Sequence, residues 1–221
     1  MYDLFVNSDG TLKTLGYVVS IVSALIIFIL ASLISKKSQT EKKFNSKQLT
    51  FSAISLTLAF VTSYIKVFPL PFGGSVTACS MLFVVIIAYW YGTRAGLLTG
   101  FVFGIMQFLQ EPYVLSFWQV CCDYLFAFAC LGLASLLAKH KNGLIKGYIL
   151  GVFCRGLFHT LGGYLFWLDY MPENFPKSIA FAYPFVYNYS YLIAEGIITI
   201  ILISVPAFKK GFAEITKYAT T

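Results

Sequence analysis

The chain has 221 residues, of which 58% are hydrophobic and 11% charged, and a soluble domain of this size would need far more charge on its surface. The net charge of +7 would suggest a nucleic-acid partner in a soluble protein, but here most Lys and Arg residues sit in short connections on one side of the chain. The composition therefore excludes a soluble globular domain and a nucleic-acid binder, and points to an all-α, polytopic membrane protein.

Leu15 to Ile34 is uncharged and long enough to cross a hydrocarbon core of about 30 Å at about 1.5 Å per residue. The basic stretch follows this segment rather than preceding it, and no small-residue cleavage site stands out. That pattern argues against a signal peptide. Lys36, Lys37, Lys42, Lys43 and Lys47 form a basic connection. Residues 1–47 are thus expected to be an extra N-terminal transmembrane helix with its cytoplasmic connection. Residues 48–221 are expected to form a six-helix membrane domain with a short C-terminal tail.

Six apolar segments follow, at about Leu49–Ile65, Val76–Tyr91, Ala95–Leu109, Tyr113–Ala138, Leu144–Leu168 and Pro184–Pro206. Their connections alternate in charge. One side collects the lysines before Gln48, then Arg94, Lys139, Lys141, Lys146, Lys209, Lys210 and Lys217. The other holds only Lys13, Lys66 and Lys177, together with Asp3, Asp9, Glu111, Asp169 and Glu173. The excess of Lys and Arg on one side places that side in the cytoplasm. Seven spans result, with the N-terminus outside and the C-terminus inside.

Between the first two of these segments, Lys66 to Ser75 (KVFPLPFGGS) carries two prolines and two glycines, which forbid a continuous helix. It suits either a movable cover over an external pocket or an ordinary turn. Gly92, Gly96, Gly100 and Gly104 recur every four residues, a stripe that lets helix backbones approach closely. Ser55, Ala59 and Ser63 form another small face, beside Ala53 and Thr57, for internal packing or a partner protein. The five cysteines (Cys79, Cys121, Cys122, Cys130, Cys154) all fall in apolar segments without metal-ligand spacing, and read as small buried side chains.

Asp123, Arg155, His159 and Glu195 are ionisable groups deep in apolar segments, and such groups usually face the bundle interior because exposure to lipid is costly. Arg155, His159, Gly163 and Trp167 recur at four-residue spacing along one helix face. That face combines a fixed charge, a titratable ring, a gap and an aromatic wall. Arg155 could pair with Glu195, leaving Asp123 without an obvious internal partner, or Asp123 could itself neutralise Arg155. In the first case, a carboxylate among Tyr113, Tyr124, Trp167 and Tyr183 suits a flat cationic ligand. Asn188 adds an amide near the outer end of the last segment. The chain has no HExxH, no GxSxG and no GxxxxGK[ST] loop, so hydrolysis is disfavoured and ATP cannot bind in the phosphate-loop manner.

From Gln48 to Lys210 the sequence resembles the thiamine-specific substrate-capture subunits (S components) of bacterial energy-coupling factor transporters. The resemblance rests on Gly73-Gly74-Ser75, the turn Tyr91-Gly92-Thr93-Arg94-Ala95-Gly96-Leu97, and Glu111-Pro112-Tyr113 with Gln119 through Tyr124. It also rests on His159-x-x-x-Gly163-x-x-x-Trp167 and on Tyr183 with Asn188. It implies a site for thiamine lined by Tyr113, Asp123, Tyr124, His159, Gly163, Trp167, Tyr183 and Asn188, without a metal or cofactor. On this reading Asp123 supplies the counter-charge, Trp167 and His159 stack on the rings, Asn188 and the tyrosines donate hydrogen bonds, and Gly163 makes room.

The same resemblance implies a non-enzymatic subunit of a bacterial plasma-membrane importer. It would capture vitamin outside and dock on a membrane scaffold subunit served by two cytoplasmic ATPases. The docking positions, which are paired alanines in the family, fall on Ala53 and Thr57 here. Asp123 stands where some relatives have a longer Glu. A related vitamin or pyrimidine as ligand, and an intramembrane enzyme using Asp123 and His159, are the alternatives.

Overall fold

The computed structural model describes residues 45–70, 74–172 and 175–221, with a few isolated positions upstream. The expected first span and most of the basic connection lie outside the described residues. Helix α1 (Ser46–Ser63) begins at Asn45, whose side chain accepts from the Gln48 amide while the Gln48 side chain accepts from the Asn45 amide. This reciprocal capping satisfies two otherwise orphaned donors.

The chain between α1 and the next helix is a two-stranded antiparallel hairpin, β1 (Lys66–Pro69) with β2 (Ser75–Thr77). The described residues on either side of the prolines and glycines form no helix, as expected, and the β-branched and aromatic residues there support pairing. The apolar segment expected from Val76 is therefore split. Its first residues belong to β2, and helix α2 (Ser80–Tyr91) begins only after Cys79, whose φ is 60°. Most of α2 is buried, including Met81, Leu82, Val84, Val85 and Ile87, as expected for a helix that is apolar on every side.

Gly92 joins α2 to α3 (Thr93–Gln110) with φ 86°, and a Cβ there would meet nothing within 4 Å. It serves the turn, not the packing stripe. Its successors in the stripe do pack. A Cβ at Gly100 would overlap the carbonyl oxygen of Phe128, and one at Gly104 that of Tyr124. Those carbonyls belong to α4 (Phe117–Leu137), which returns the contact with Gly132 against the backbone of Leu97.

Helix α4 is shorter than the expected Tyr113–Ala138 and is not regular. It opens as an α-helix capped by Ser116, widens to a π-helix over Cys121–Phe126, and tightens to a 3-10 helix over Cys130–Leu137. Helix α5 (Gly143–Phe166) packs its own glycines on α4, Gly147 against Ala134 and Gly151 against Leu131. It stops one residue before Trp167, so Trp167 lies beyond the helix face that carries Arg155, His159 and Gly163.

Helix α6 (Tyr183–Ser204) follows a 3-10 lead at Lys177–Ala182 and carries Pro184 in its first turn, where a missing N–H is harmless. What was expected to be a short tail is instead a further helix, α7 (Pro206–Thr220). Among the described residues, three helical stretches are long and apolar enough to cross a membrane: Phe117–Leu137, Gly143–Phe166 and Lys177–Ser204. On α5, Ile149, Phe153, Leu157 and Leu161 are exposed at four-residue spacing, an apolar outer stripe that suits lipid. The protein is an all-α membrane protein with one small hairpin.

Ser55, Ala59 and Ser63 of α1 face inward, and the Ser55 hydroxyl donates to the Phe83 carbonyl. Ala53 and Thr57 face outward and are exposed. The two small faces of this helix are therefore separate.

Overpacking a glycine-mediated contact costs about 1–3 kcal/mol. Gly100→Val should accordingly lower the thermal unfolding midpoint of detergent-purified protein, whereas Gly211→Ala, with open space around it, should leave it unchanged. Equal midpoints for the two variants would contradict the α3–α4 backbone contact.

Candidate functional site

At the hairpin end of the bundle lies a cavity of about 450 Å³, walled by the hairpin, the end of α3, the start of α4, the end of α5 and the start of α6. All eight residues expected from the sequence line it: Tyr113, Asp123, Tyr124, His159, Gly163, Trp167, Tyr183 and Asn188.

Asp123 sits in the π-helical stretch of α4, a local widening common at functional sites. The wider turn is paired with a gap on the facing helix. A Cβ at Gly162 would come 2.6 Å from Asp123 Oδ1, so only glycine leaves the carboxylate its position. The carboxylate is not without internal partners, contrary to the sequence reading. Gln119 Nε2 donates to Oδ2 at 2.7 Å, Trp167 Nε1 donates to the same oxygen at 2.9 Å, and His159 Nδ1 lies 3.5 Å from Oδ1. Gln119 is itself held by the Leu115 amide, which donates to its Oε1 at 3.1 Å.

Neither arrangement expected for Arg155 occurs. Its Nε donates to His159 Nε2 at 3.2 Å, and its guanidinium lies 3.9 Å from the centre of the Phe128 ring, within cation–π range. Among the described residues no carboxylate comes within ion-pair distance of it. His159 therefore stands between Asp123 and Arg155. Because Nε2 accepts from Arg155, the proton of the neutral imidazole belongs on Nδ1, facing Asp123.

Glu195 is occupied elsewhere. Its Oε2 accepts from the Thr77 amide at 2.9 Å and the Thr77 hydroxyl at 2.8 Å, and its Oε1 lies 3.5 Å from both the Ser80 hydroxyl and the Met81 amide. A carboxylate on α6 thus caps the N-terminus of α2, where orphan amides and the helix dipole favour negative charge.

The aromatic walls are in contact. Tyr113 lies 4.8 Å from Trp167, and Trp167 lies 5.2 Å from Tyr170. Opposite them, Tyr183, Tyr187 and Tyr191 form a ladder along α6, with centroids 5.8 and 6.1 Å apart. The Tyr124 hydroxyl donates to the Glu111 carbonyl at 2.7 Å and accepts from the Tyr113 amide at 3.2 Å, so it braces the wall that carries Tyr113.

Two further expectations change. Gly163 does not open space within the cavity, because a Cβ there would strike Pro184 Cβ at 2.7 Å; it lets α6 approach α5. The Asn188 amide donates to the Pro184 and His159 carbonyls, and its oxygen accepts from Tyr191. Asn188 thus ties α6 to α5 while lining the cavity. Lys66 and Glu111 form an ion pair joining the hairpin to the α3–α4 connection.

Sequence reasoning missed Gln119 and Gly162 as supports of Asp123, and Tyr187 and Tyr191 as wall residues. Gln119 stands one helical turn before Asp123, and Tyr183, Tyr187, Tyr191 and Glu195 repeat every four residues, so both signals were present. The importance of Gly162 depends on which residue faces it across the helix pair. Among the described residues no serine, threonine or cysteine side chain bonds to His159, so the nucleophile–base pairing of covalent catalysis is not assembled. Among them, too, no group of three or more His, Cys, Asp or Glu gathers to hold a metal.

Residues 49–213 match the family described as "Thiamine transporter protein (Thia_YuaJ)". The chain is 30% identical over 153 residues to thiamine transporter ThiT of Bacillus subtilis (strain 168), covering 61% of this chain and 75% of that one. Its fold resembles that of ThiT from Listeria monocytogenes, with a TM-score of 0.58 at 24% identity over 72% of this chain and 94% of that one.

Proposed function

The chain belongs to the thiamine transporter protein family, and from that premise we propose that it is the thiamine-binding S component of an energy-coupling factor importer. The observation that carries this reading is the charge of the cavity. Lys66 and Glu111 cancel one another, and His159 is neutral. With both carboxylates ionised, as the donors gathered around each favour, Asp123, Arg155 and Glu195 leave one net negative charge among the lining residues. Thiamine is a permanent monocation, a thiazolium joined to a flat aminopyrimidine, with a hydroxyethyl tail. A volume of about 450 Å³ falls in the usual range for small-molecule sites.

In this reading Asp123 is the counter-charge of the thiazolium. Trp167 and Tyr113 offer the stacking wall, Tyr183 closes the opposite side, and His159 presents its ring beside the carboxylate. Tyr124 and Asn188 act by holding Tyr113 and α6 in place. Gly163 acts by admitting α6. The terminal nitrogens of Arg155, which bond to no acceptor among the described residues, are available to the hydroxyl of the tail.

The cavity end of the bundle would face the exterior, and the lysine-rich end the cytoplasm, in agreement with the charge rule. The C-terminus is then cytoplasmic, the N-terminus outside, and the protein resident in the bacterial plasma membrane. The exposed Ala53–Thr57 stripe would meet the scaffold subunit, with two ATPases supplying the energy that a chain without a phosphate loop cannot. The domain division at residue 47 belongs to the same proposal. A transporter of this kind returns its ligand chemically unchanged, which separates it from an enzyme built on Asp123 and His159.

Titration of purified protein with thiamine should quench tryptophan emission saturably at one ligand per chain, because Trp167 lines the site. An unresponsive protein, or one that responds only to another vitamin or a free pyrimidine, refutes the assignment. Asp123→Asn should weaken thiamine binding by about 2–5 kcal/mol, the usual cost of breaking a buried charge pair, which is roughly 30-fold or more. Glu195→Gln should instead lower the unfolding midpoint and affect affinity much less, since Glu195 caps α2. Comparable affinity losses in the two variants would remove Asp123 from its special role. Gly162→Ala should weaken binding by displacing the carboxylate while leaving the unfolding midpoint nearly intact; unchanged affinity would mean that the position of Asp123 is immaterial.

A further inference from the structure

Helix α7 has three distinct sides, and the protein covers only one of them. Its inner side is fixed to the end of α2. Phe212 stacks on Trp90 with centroids 5.6 Å apart and planes 11° apart, and Phe208 stacks on Phe212 at 5.8 Å and 11°. Trp90 Nε1 donates to the Thr216 hydroxyl at 2.9 Å, and the Tyr91 hydroxyl donates to the Ala219 carbonyl at 3.0 Å. These contacts lay the helix across the end of the bundle instead of letting it project away.

At about 100° per residue, Ala207, Gly211, Ile215 and Tyr218 fall on a second, apolar side, which remains open. Ile215 is 48% exposed and Tyr218 is 70% exposed. In the chain this side comes after the exposed Ile197, Ile201 and Val205 of α6 and its connection, which form another apolar stripe at four-residue spacing. The third side carries Lys210 and Lys217, with Lys209 at its margin. Glu214, bonded to Lys217 at 2.9 Å, is the sole acidic residue at this end among the described residues. Lys139, Lys141 and Lys146, at the α4–α5 connection and the start of α5, stand at the same end of the bundle.

A helix with one apolar and one lysine-bearing side, pinned flat where apolar spans end, has the geometry of a segment lying in a bilayer interface. We propose that α7 is an interfacial anchor whose lysines bind the phosphates of anionic phospholipids while Ile215 and Tyr218 enter the acyl boundary. The partner is the anionic lipid surface of the membrane that holds the protein. The positive charge gathered here matches such a surface, and the exposed Ile215 and Tyr218 supply the apolar side that enters it. This inference does not depend on the identity of the ligand in the cavity.

The test is amide hydrogen exchange on the full chain in nanodiscs of phosphatidylcholine alone and of phosphatidylcholine with phosphatidylglycerol. The anionic lipid should slow exchange across residues 206–220 by on the order of tenfold, in line with several lysines near an anionic surface, and α1 should not change. Raised salt should reverse the effect. The variant K209Q/K210Q/K217Q should lose the dependence on phosphatidylglycerol while keeping the exchange pattern of α4 and α5, which reports an intact fold. I215S/Y218S should speed exchange of α7 in both bilayers. Identical exchange in the two bilayers overturns the proposal, as does a lipid effect that survives in the triple lysine variant. Protection that arises only on adding another protein, with no response to phosphatidylglycerol, overturns it too.

Discussion

A carboxylate placed among apolar helices must be surrounded by donors, and the architecture around Asp123 is arranged to meet that demand. Burying an unpaired charge costs several kcal/mol. Here Gln119, Trp167 and His159 approach the two oxygens from α4 itself, from the residue just past α5, and from the body of α5. Each donor reaches only because another feature permits it. The π-helical turn aims the carboxylate, Gly162 leaves space for it, and Gly104 lets α3 press against the carbonyl of the next residue, Tyr124. The site thus sits where glycines let α3 and α5 approach α4 closely.

The sequence displayed much of this. The order of the described segments, the role of glycine in helix contact and the ionisable groups of the cavity can be read from periodicity and from intramembrane charge. The resemblance to a known family selected the eight lining residues from among many aromatics. What could not be read is instructive. Arg155, His159 and Glu195 were visible as buried ionisable groups, yet their partners were not, because pairing across helices depends on rotation about each axis. A helical repeat gives a face but not its neighbour. Glu195 accordingly looked like a counter-ion for Arg155 and is instead the cap of α2.

Departures from regular helix were similarly hidden. Nothing in Cys121–Phe126 distinguishes a π-turn from an α-turn by composition, and the glycines that face it, Gly104 and Gly162, lie on other helices. The hairpin is half legible: Pro69, Pro71, Gly73 and Gly74 exclude a helix, but the pairing of Lys66–Pro69 with Ser75–Thr77 is not written in their spacing. The spacing from Gly163 continues a helical stripe to Trp167, whereas the helix ends one residue earlier. That ending is what turns the indole N–H towards Asp123.

The bond set of Glu195 has a mechanical consequence. By gripping the amide and hydroxyl of Thr77 and reaching the first turn of α2, it couples the hairpin, the central helix and α6 into a single lever. Movement of the hairpin, through Lys66 and its link to Glu111 or through contact with a bound molecule, cannot remain local. The force is borne by α2, whose first turn Glu195 reaches and whose far end carries Trp90 and Tyr91 against α7.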